Sequence, residues 1–209
     1  RGILNFITNE LSSFYLDFTK DIVYIEEADS LERRSIQTVF YDCLYALTTM
    51  LTPIIPHTTE EVYRYMPGKK NESIYLCDMV QPIHHINSEE LLEKYANLMK
   101  VRDDVLKALE DARNEKIIGK SLHAKVDFYP TEKVANLLST LNVDLSQVFI
   151  VSKFNVATSD FDAKMYESGK IKVSAATGVI CSRCWQMVYA INEDELCPRC
   201  ARVVKNLKK

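Results

Sequence analysis

Cys181-Ser182-Arg183-Cys184 and Cys197-Pro198-Arg199-Cys200 are two Cys-x-x-Cys hooks joined by a short polar loop. Two residues between thiols allow a tight turn that aims both sulfurs at one point, and a second such turn completes a tetrahedron. Four thiolates leave no open position for a substrate, so the expected ion is one structural zinc held by Cys181, Cys184, Cys197 and Cys200. A single hook would suit a redox dithiol, and two disulfides are the other alternative. The doubled spacing favours zinc over both. The end of the chain, 179–209, therefore reads as a small module ordered by a metal.

Outward from the hooks, the surroundings are basic. Arg183, Arg199, Arg202, Lys205, Lys208 and Lys209 face only Glu193, Asp194 and Glu195 in this segment, whereas the whole chain of 209 residues has a net charge of -3. A locally basic module in an acidic protein points to an anionic partner. A hydrophobic content of 47% with 26% charged residues is that of a soluble globular protein with room for two or three domains. Cys43 and Cys77 sit in apolar stretches and read as buried, reduced thiols. With a zinc site and neither a signal peptide nor a long uncharged apolar run, they fit a cytoplasmic protein. The chain opens at Arg1-Gly2-Ile3, already inside a helical pattern, as part of a longer protein would.

The first half reads as a helical bundle over 1–121. Ile3, Ile7, Leu11, Phe14, Phe18 and Ile22 recur at helical spacing. Asp29 or Ser30 caps a second helix carrying Ile36, Phe40, Cys43, Leu47 and Met50, ending before Pro53. Thr58 and Glu61 form a capping-box pattern for a third helix, stopped by Pro67-Gly68. After a loop through His84 and His85, Asn87 or Ser88 starts a long helix. Its stripe is Leu92, Tyr95, Leu98, Val101 or Arg102, Val105, Leu109 and Ala112, with Gly119 in the capping position.

The period then changes. Ala124, Val126 and Phe128 alternate with Lys125, Asp127 and Tyr129, a strand signature. Thr131 caps a helix through Leu141, Val148 to Val156 is rich in β-branched and aromatic residues, and Ile171 to Ala175 suits another strand. The expected architecture is multidomain and mainly α: the helical bundle, a small α/β unit over 122–178, and a four-cysteine zinc ribbon or knuckle.

Catalytic patterns fail on inspection. Gly119-Lys120-Ser121 imitates the end of a phosphate-binding loop, but Asn114 stands where its first glycine belongs, and the preceding element is a helix rather than a strand. His57, His84, His85 and His123 have no common spacing for a metal or a triad, and no nucleophile has a base nearby. Trp185 differs from these. It follows Cys184, a knuckle is too small to bury an indole, and indole beside Arg183 makes a surface on which an unpaired base can stack. The competing role is a hydrophobic lid over the metal module.

Three segments carry a resemblance: Leu11 to Asp21, Ala28 to Ser35, and Leu51-Thr-Pro-Ile-Ile-Pro-His-Thr-Thr-Glu-Glu-Val62. They are similar to the anticodon-binding helical bundle shared by class I aminoacyl-tRNA synthetases. Lys107 to Arg113 leading into Ile118 to Leu122, and Cys181-Ser-Arg-Cys-Trp185 with its second hook, resemble the bacterial isoleucyl-tRNA synthetases in particular. That resemblance spans essentially the whole chain. It implies the C-terminal portion of an enzyme that joins isoleucine to its tRNA with ATP, a monomer in the cytoplasm away from membranes. The family's two ATP-binding signatures and its editing segment are absent from this sequence, so ATP would be bound by the parent's catalytic domain and not here. The implied partners are the tRNA(Ile) anticodon stem-loop and the parent's catalytic and editing domains. The candidate RNA contacts are Arg183, Trp185, Arg199, Arg202 and Lys205. The alternative is a stand-alone zinc-ribbon module that binds nucleic acid or another protein.

Overall fold

The computed structural model describes residues 1–68, 71–81 and 88–207. Expectations placed on His84, His85, Asn87, Lys208 and Lys209 lie outside the described residues. The chain divides into two compact units. One comprises Arg1–Asp17 with the described part of Glu27–His85, the other Phe18–Glu26 with the described part of Ile86–Lys209.

The first unit is helical. Helix α1 (Gly2–Asn5) runs through a π-helical stretch (Phe6–Tyr15) into α2 (Leu16–Ile25), most of which belongs to the second unit. A π turn holds more residues than an α turn, yet the expected stripe still marks the less exposed positions. Ile3, Ile7, Leu11 and Phe14 are half-buried, and full burial begins in α2, at Thr19, Ile22 and Ile25. Helix α3 (Leu31–Leu51) starts at Ser30, whose hydroxyl accepts the Arg33 N–H at 3.4 Å, and it stops ahead of Pro53. Its buried threonines are satisfied locally: Thr48 donates to Leu44 O at 2.6 Å and Thr49 to Ala46 O at 3.0 Å.

Helix α4 (Pro56–Tyr65) corrects the capping expectation. Proline, with φ already helical and no N–H to satisfy, takes the first helical position, and Ile55 becomes the cap. Thr58 is therefore inside the helix and its box with Glu61 does not form. Glu60 instead caps a neighbouring turn, accepting Ser73 Oγ at 2.8 Å and the Ile74 N–H at 3.1 Å. Cys77 packs against the apolar cluster of Tyr63, Met66 and Ile74 as expected, but it is not fully buried. It is half-buried, its Sγ donates to the Tyr63 hydroxyl at 3.2 Å, and the Asn71 side chain donates to it at 3.5 Å. That contact pushes the Tyr63 phenol up to about 12. Cys43 is likewise half-buried.

The second unit is built on α5 (Ser88–Asn114), which buries Leu98, Val101, Arg102, Val105, Ala108, Leu109 and Ala112. The expected stripe runs too far toward the N-terminus: Leu92 is 71% exposed and Tyr95 lies largely outside the core. The cap also differs. Lys116 adopts φ 60, and the N–H of Ile117 reaches back to Ala112 O at 2.9 Å. This closes a Schellman-type turn three residues before Gly119.

Strand β1 (Ala124–Pro130) lies at the centre of a sheet with β2 (Lys153–Val156), β3 (Lys164–Tyr166) and β4 (Gly169–Ala175), in the order β2-β1-β4-β3. The β1–β2 pair is parallel and needs a crossover, supplied by α6 (Glu132–Ser139) and α7 (Leu145–Val148). Residues 148–156 are therefore not one strand: Val148 ends α7, Ile150 turns with φ 55, and pairing begins at Lys153. Ala124, Val126, Phe128 and Ile171 are buried on one face of the sheet. Helix α5 is tied to this unit by Asp111, which accepts Lys164 Nζ at 2.5 Å and the Tyr166 hydroxyl at 2.9 Å. The turn between β3 and β4 requires glycine, because Gly169 has φ +146 and a Cβ there would strike the Tyr129 carbonyl oxygen. The chain then forms a two-stranded ribbon, β5 (Val179–Ile180) with β6 (Met187–Val188), and ends in α8 (Pro198–Leu207).

Candidate functional site

The first hook closes on itself by backbone bonds. The Trp185 N–H donates to Cys181 O at 2.9 Å and the Cys181 N–H to Gln186 O at 3.1 Å, so the β5–β6 ribbon ends where Cys181 and Cys184 turn inward. The second hook gains its shape from Pro198, which opens α8 and leaves Cys200 in the first helical turn. All four cysteines are buried, and their sulfurs lie within 4.8 Å of one another. A metal at ~2.3 Å from each of four tetrahedral thiolates would set the sulfurs about 3.8 Å apart. Cys184 and Cys197 are 3.9 Å apart, much too far for a disulfide and right for a shared ion. These four residues can hold a metal ion.

Backbone dipoles favour the charged ligand form. The Cys197 N–H donates to Cys181 Sγ at 3.3 Å and the Cys200 N–H to Cys197 Sγ at 3.5 Å. Burial works against the Cys181 thiolate, but N–H groups of Cys184, Cys197 and Arg183 outweigh it and bring the thiol down to about 6. At Cys184 burial prevails and pushes the thiol up, and at Cys200 it does so to about 11. A cation bound by the four sulfurs would favour the thiolate form of its ligands over the thiol.

The lid over this cluster is Ile25, from the end of α2. It packs with Cys181, Cys184, Leu196, Cys197 and Cys200, flanked by Val188, Ala201 and Val204. Two arginines fasten the same contact. Arg183 donates to Ile25 O at 2.8 Å and Tyr24 O at 3.4 Å. Arg199 grips Asp21 with both terminal nitrogens at 2.6 and 2.7 Å and has Glu26 at 3.6 Å. Burial opposes the Arg199 charge, and Asp21 more than restores it. Arg202 reaches Glu26 at 3.8 Å from an exposed position, and Lys205 is exposed in the last turn of α8.

Trp185 points the other way. It is 66% exposed and holds φ 61, a left-handed backbone that costs a bulky residue roughly 1–2 kcal/mol. The hydrogen bond to Cys181 and the hook fix that conformation. Tyr189, just beyond β6, was not singled out by the sequence. It is 84% exposed, with Lys153 Nζ 3.6 Å from its ring centroid. Asp21, Glu26 and Ile25 were missed too, because no local pattern links α2 to hooks that follow it by more than 150 residues.

A model of the family described as the anticodon-binding domain of tRNA ligase matches residues 1–128. Among curated relatives, an isoleucine–tRNA ligase of Bacillus cereus (strain 03BB102) is 50% identical over 98% of this chain. The isoleucine–tRNA ligase of Bacillus anthracis (strain CDC 684 / NRRL 3495) and isoleucine–tRNA ligase 1 of Bacillus thuringiensis subsp. konkukian (strain 97-27) match to the same extent. The chain spans 23% of the length of each of these relatives. A family match over the helical half, continued by alignment through the cysteine hooks, leaves one assignment: the chain belongs to the anticodon-binding domain family of tRNA ligases.

Proposed function

We propose that this chain is the C-terminal, tRNA-binding portion of an isoleucine–tRNA ligase. It grips the tRNA(Ile) anticodon stem-loop while catalytic and editing domains elsewhere in the parent use ATP to attach isoleucine and check the product. The observation that carries the reading is the anticodon-binding match over 1–128, joined in one chain to a buried four-cysteine cluster. The organisation is a bundle over 1–121, an α/β unit over 122–178 and a metal module over 179–209, acting as a cytoplasmic monomer. No helix among the described residues is long and apolar enough to cross a membrane.

The ion is one structural zinc on Cys181, Cys184, Cys197 and Cys200, the donor set being all sulfur and closed. Trp185 stacks on a loop base, supported by its exposure and its fixed backbone, which lower the ordering entropy lost on binding. Lys205 and Arg202 neutralise phosphates. Arg183 and Arg199 act mainly by holding the module onto α2, since their donors already face Ile25 O and Asp21.

The test is binding of a tRNA(Ile) transcript and a non-cognate transcript to the intact chain. Tighter binding of tRNA(Ile), reduced by roughly 1–3 kcal/mol in Trp185→Ala with fold and metal retained, is expected. Equal affinity for the two transcripts would overturn the anticodon reading. Normal cognate binding by Trp185→Ala would remove that residue from the interface.

A further inference from the structure

The strand register places a row of lysines on the open face of the four-stranded sheet. Lys125 on β1 stands beside Lys153 on β2, and Asp127 stands between Asn155 on β2 and Lys172 on β4. Their neighbours Val126, Phe128 and Ile171 turn to the buried face, so the lysines share the opposite one. Lys170, on the same face, is neutralised by Asp160 at 2.6 Å. That leaves Lys125, Lys153 and Lys172 beside the carboxylate of Asp127, which Lys125 contacts at 2.8 Å. Burial opposes ionisation of Asp127, but Lys125, Asn155 and Lys172 hold it below the usual carboxylate range.

Adjacent strands set Lys125 and Lys153 about 5 Å apart, and like charges in such a position destabilise a sheet. Asp127 balances one of these two charges, and a polyanion lying across the face would balance the other. Lys153 also extends the face toward the ribbon: its ammonium covers the ring of the exposed Tyr189 and donates to Thr177 O at 3.4 Å. By contrast, the arginines beside the cysteines are largely occupied by Asp21, Glu26 and backbone carbonyls. The three sheet lysines share the one carboxylate of Asp127, whereas Arg199 alone faces those of Asp21 and Glu26, so the sheet face keeps the larger excess of positive charge.

We propose that the open face of the sheet is a second RNA-binding surface. Lys125, Lys153 and Lys172 contact backbone phosphates of a tRNA stem, and Tyr189 guides the strand toward the ribbon. This rests on the tRNA-binding reading above and adds a surface to it. The contacts involve phosphates alone, so they strengthen binding without reading sequence.

The test compares the intact chain with a Lys125→Gln/Lys153→Gln/Lys172→Gln variant, titrating tRNA(Ile) and non-cognate transcripts over a range of salt. The variant should bind both transcripts more weakly by similar factors, and its salt dependence should flatten by about three units of slope, one per lysine. A slope unchanged in a folded variant that still binds tRNA overturns the sheet surface and leaves the tRNA reading intact. No binding of tRNA by the unmodified chain overturns both. Should the triple variant misfold, lysine acetylation mapped by mass spectrometry on the unmodified chain decides. Protection of Lys125, Lys153 and Lys172 by added tRNA is expected, and their unchanged labelling contradicts the proposal.

Discussion

The helical unit and the cysteine module reach order by opposite routes. Helices α3 and α4 lie in a unit with a thin core: Ile36, Tyr63, Met66 and Ile74 are buried, while Ile54 and Tyr65 stand largely in solvent. Its stability is the sum of many modest burials and local hydrogen bonds, so it should soften gradually under mutation. The module of β5, β6 and α8 has little apolar interior apart from its four cysteines, Leu196, Val203 and the intruding Ile25. Its order is concentrated in one cluster and should be lost all at once. The lesson is that a chain can contain one part specified by periodicity and another by a few ligand atoms.

The largest effect expected is at the cluster. Cys197→Ser removes one of four thiolates, and structural zinc in small fingers contributes on the order of 10 kcal/mol to folding. The variant should lose the ordered region beyond Val179 while the α3–α4 helices persist, read as retained helical circular dichroism with loss of amide protection after Val179. Cooperative loss of both units together would break the comparison. Next comes the helical unit. Ile36→Ala should cost about 2–3 kcal/mol in denaturant melts, the low part of the range for such truncations, because its surroundings are only partly buried. A collapse of that unit would show it to be as concentrated as the module.

Arg199→Ala should be smaller still. Its pair with Asp21 is partly exposed, so roughly 1 kcal/mol is expected, with the loss appearing as faster exchange at the end of α2 and in α8. An unchanged exchange pattern would mean that Ile25 and Arg183 hold that contact without Arg199. Smallest is Thr58→Ala, within about 0.5 kcal/mol of neutral, because Thr58 caps nothing. A loss near 1 kcal/mol or more would restore the capping box.

Legibility in the sequence followed the same division. The cysteine cluster was plain because two residues between ligands is itself a geometry, and the strand over 124–130 was plain because alternation is. Ends were read less well. Pro56 displaced the cap expected at Thr58, and Lys116 took the left-handed position expected of Gly119, since a tertiary setting can hold a residue where propensity disfavours it. Strand β3 was missed because Lys164-Met165-Tyr166 is short, lies at a sheet edge and carries no alternation. The partners of Arg183 and Arg199 were beyond reach, since Ile25 and Asp21 join them only through the fold. Reading the arginines as candidate RNA contacts followed from local charge. The structure shows them engaged, and it lines up lysines scattered over three strands that local charge did not reveal.

The most direct test of the account is the metal content of the chain purified without chelator, measured by elemental analysis alongside protein concentration. One zinc per chain, falling to none in a variant with Cys181, Cys184, Cys197 and Cys200 all changed to serine, is the expected result. Absence of stoichiometric metal from a folded chain would contradict the claim that these four residues order the module through a shared ion.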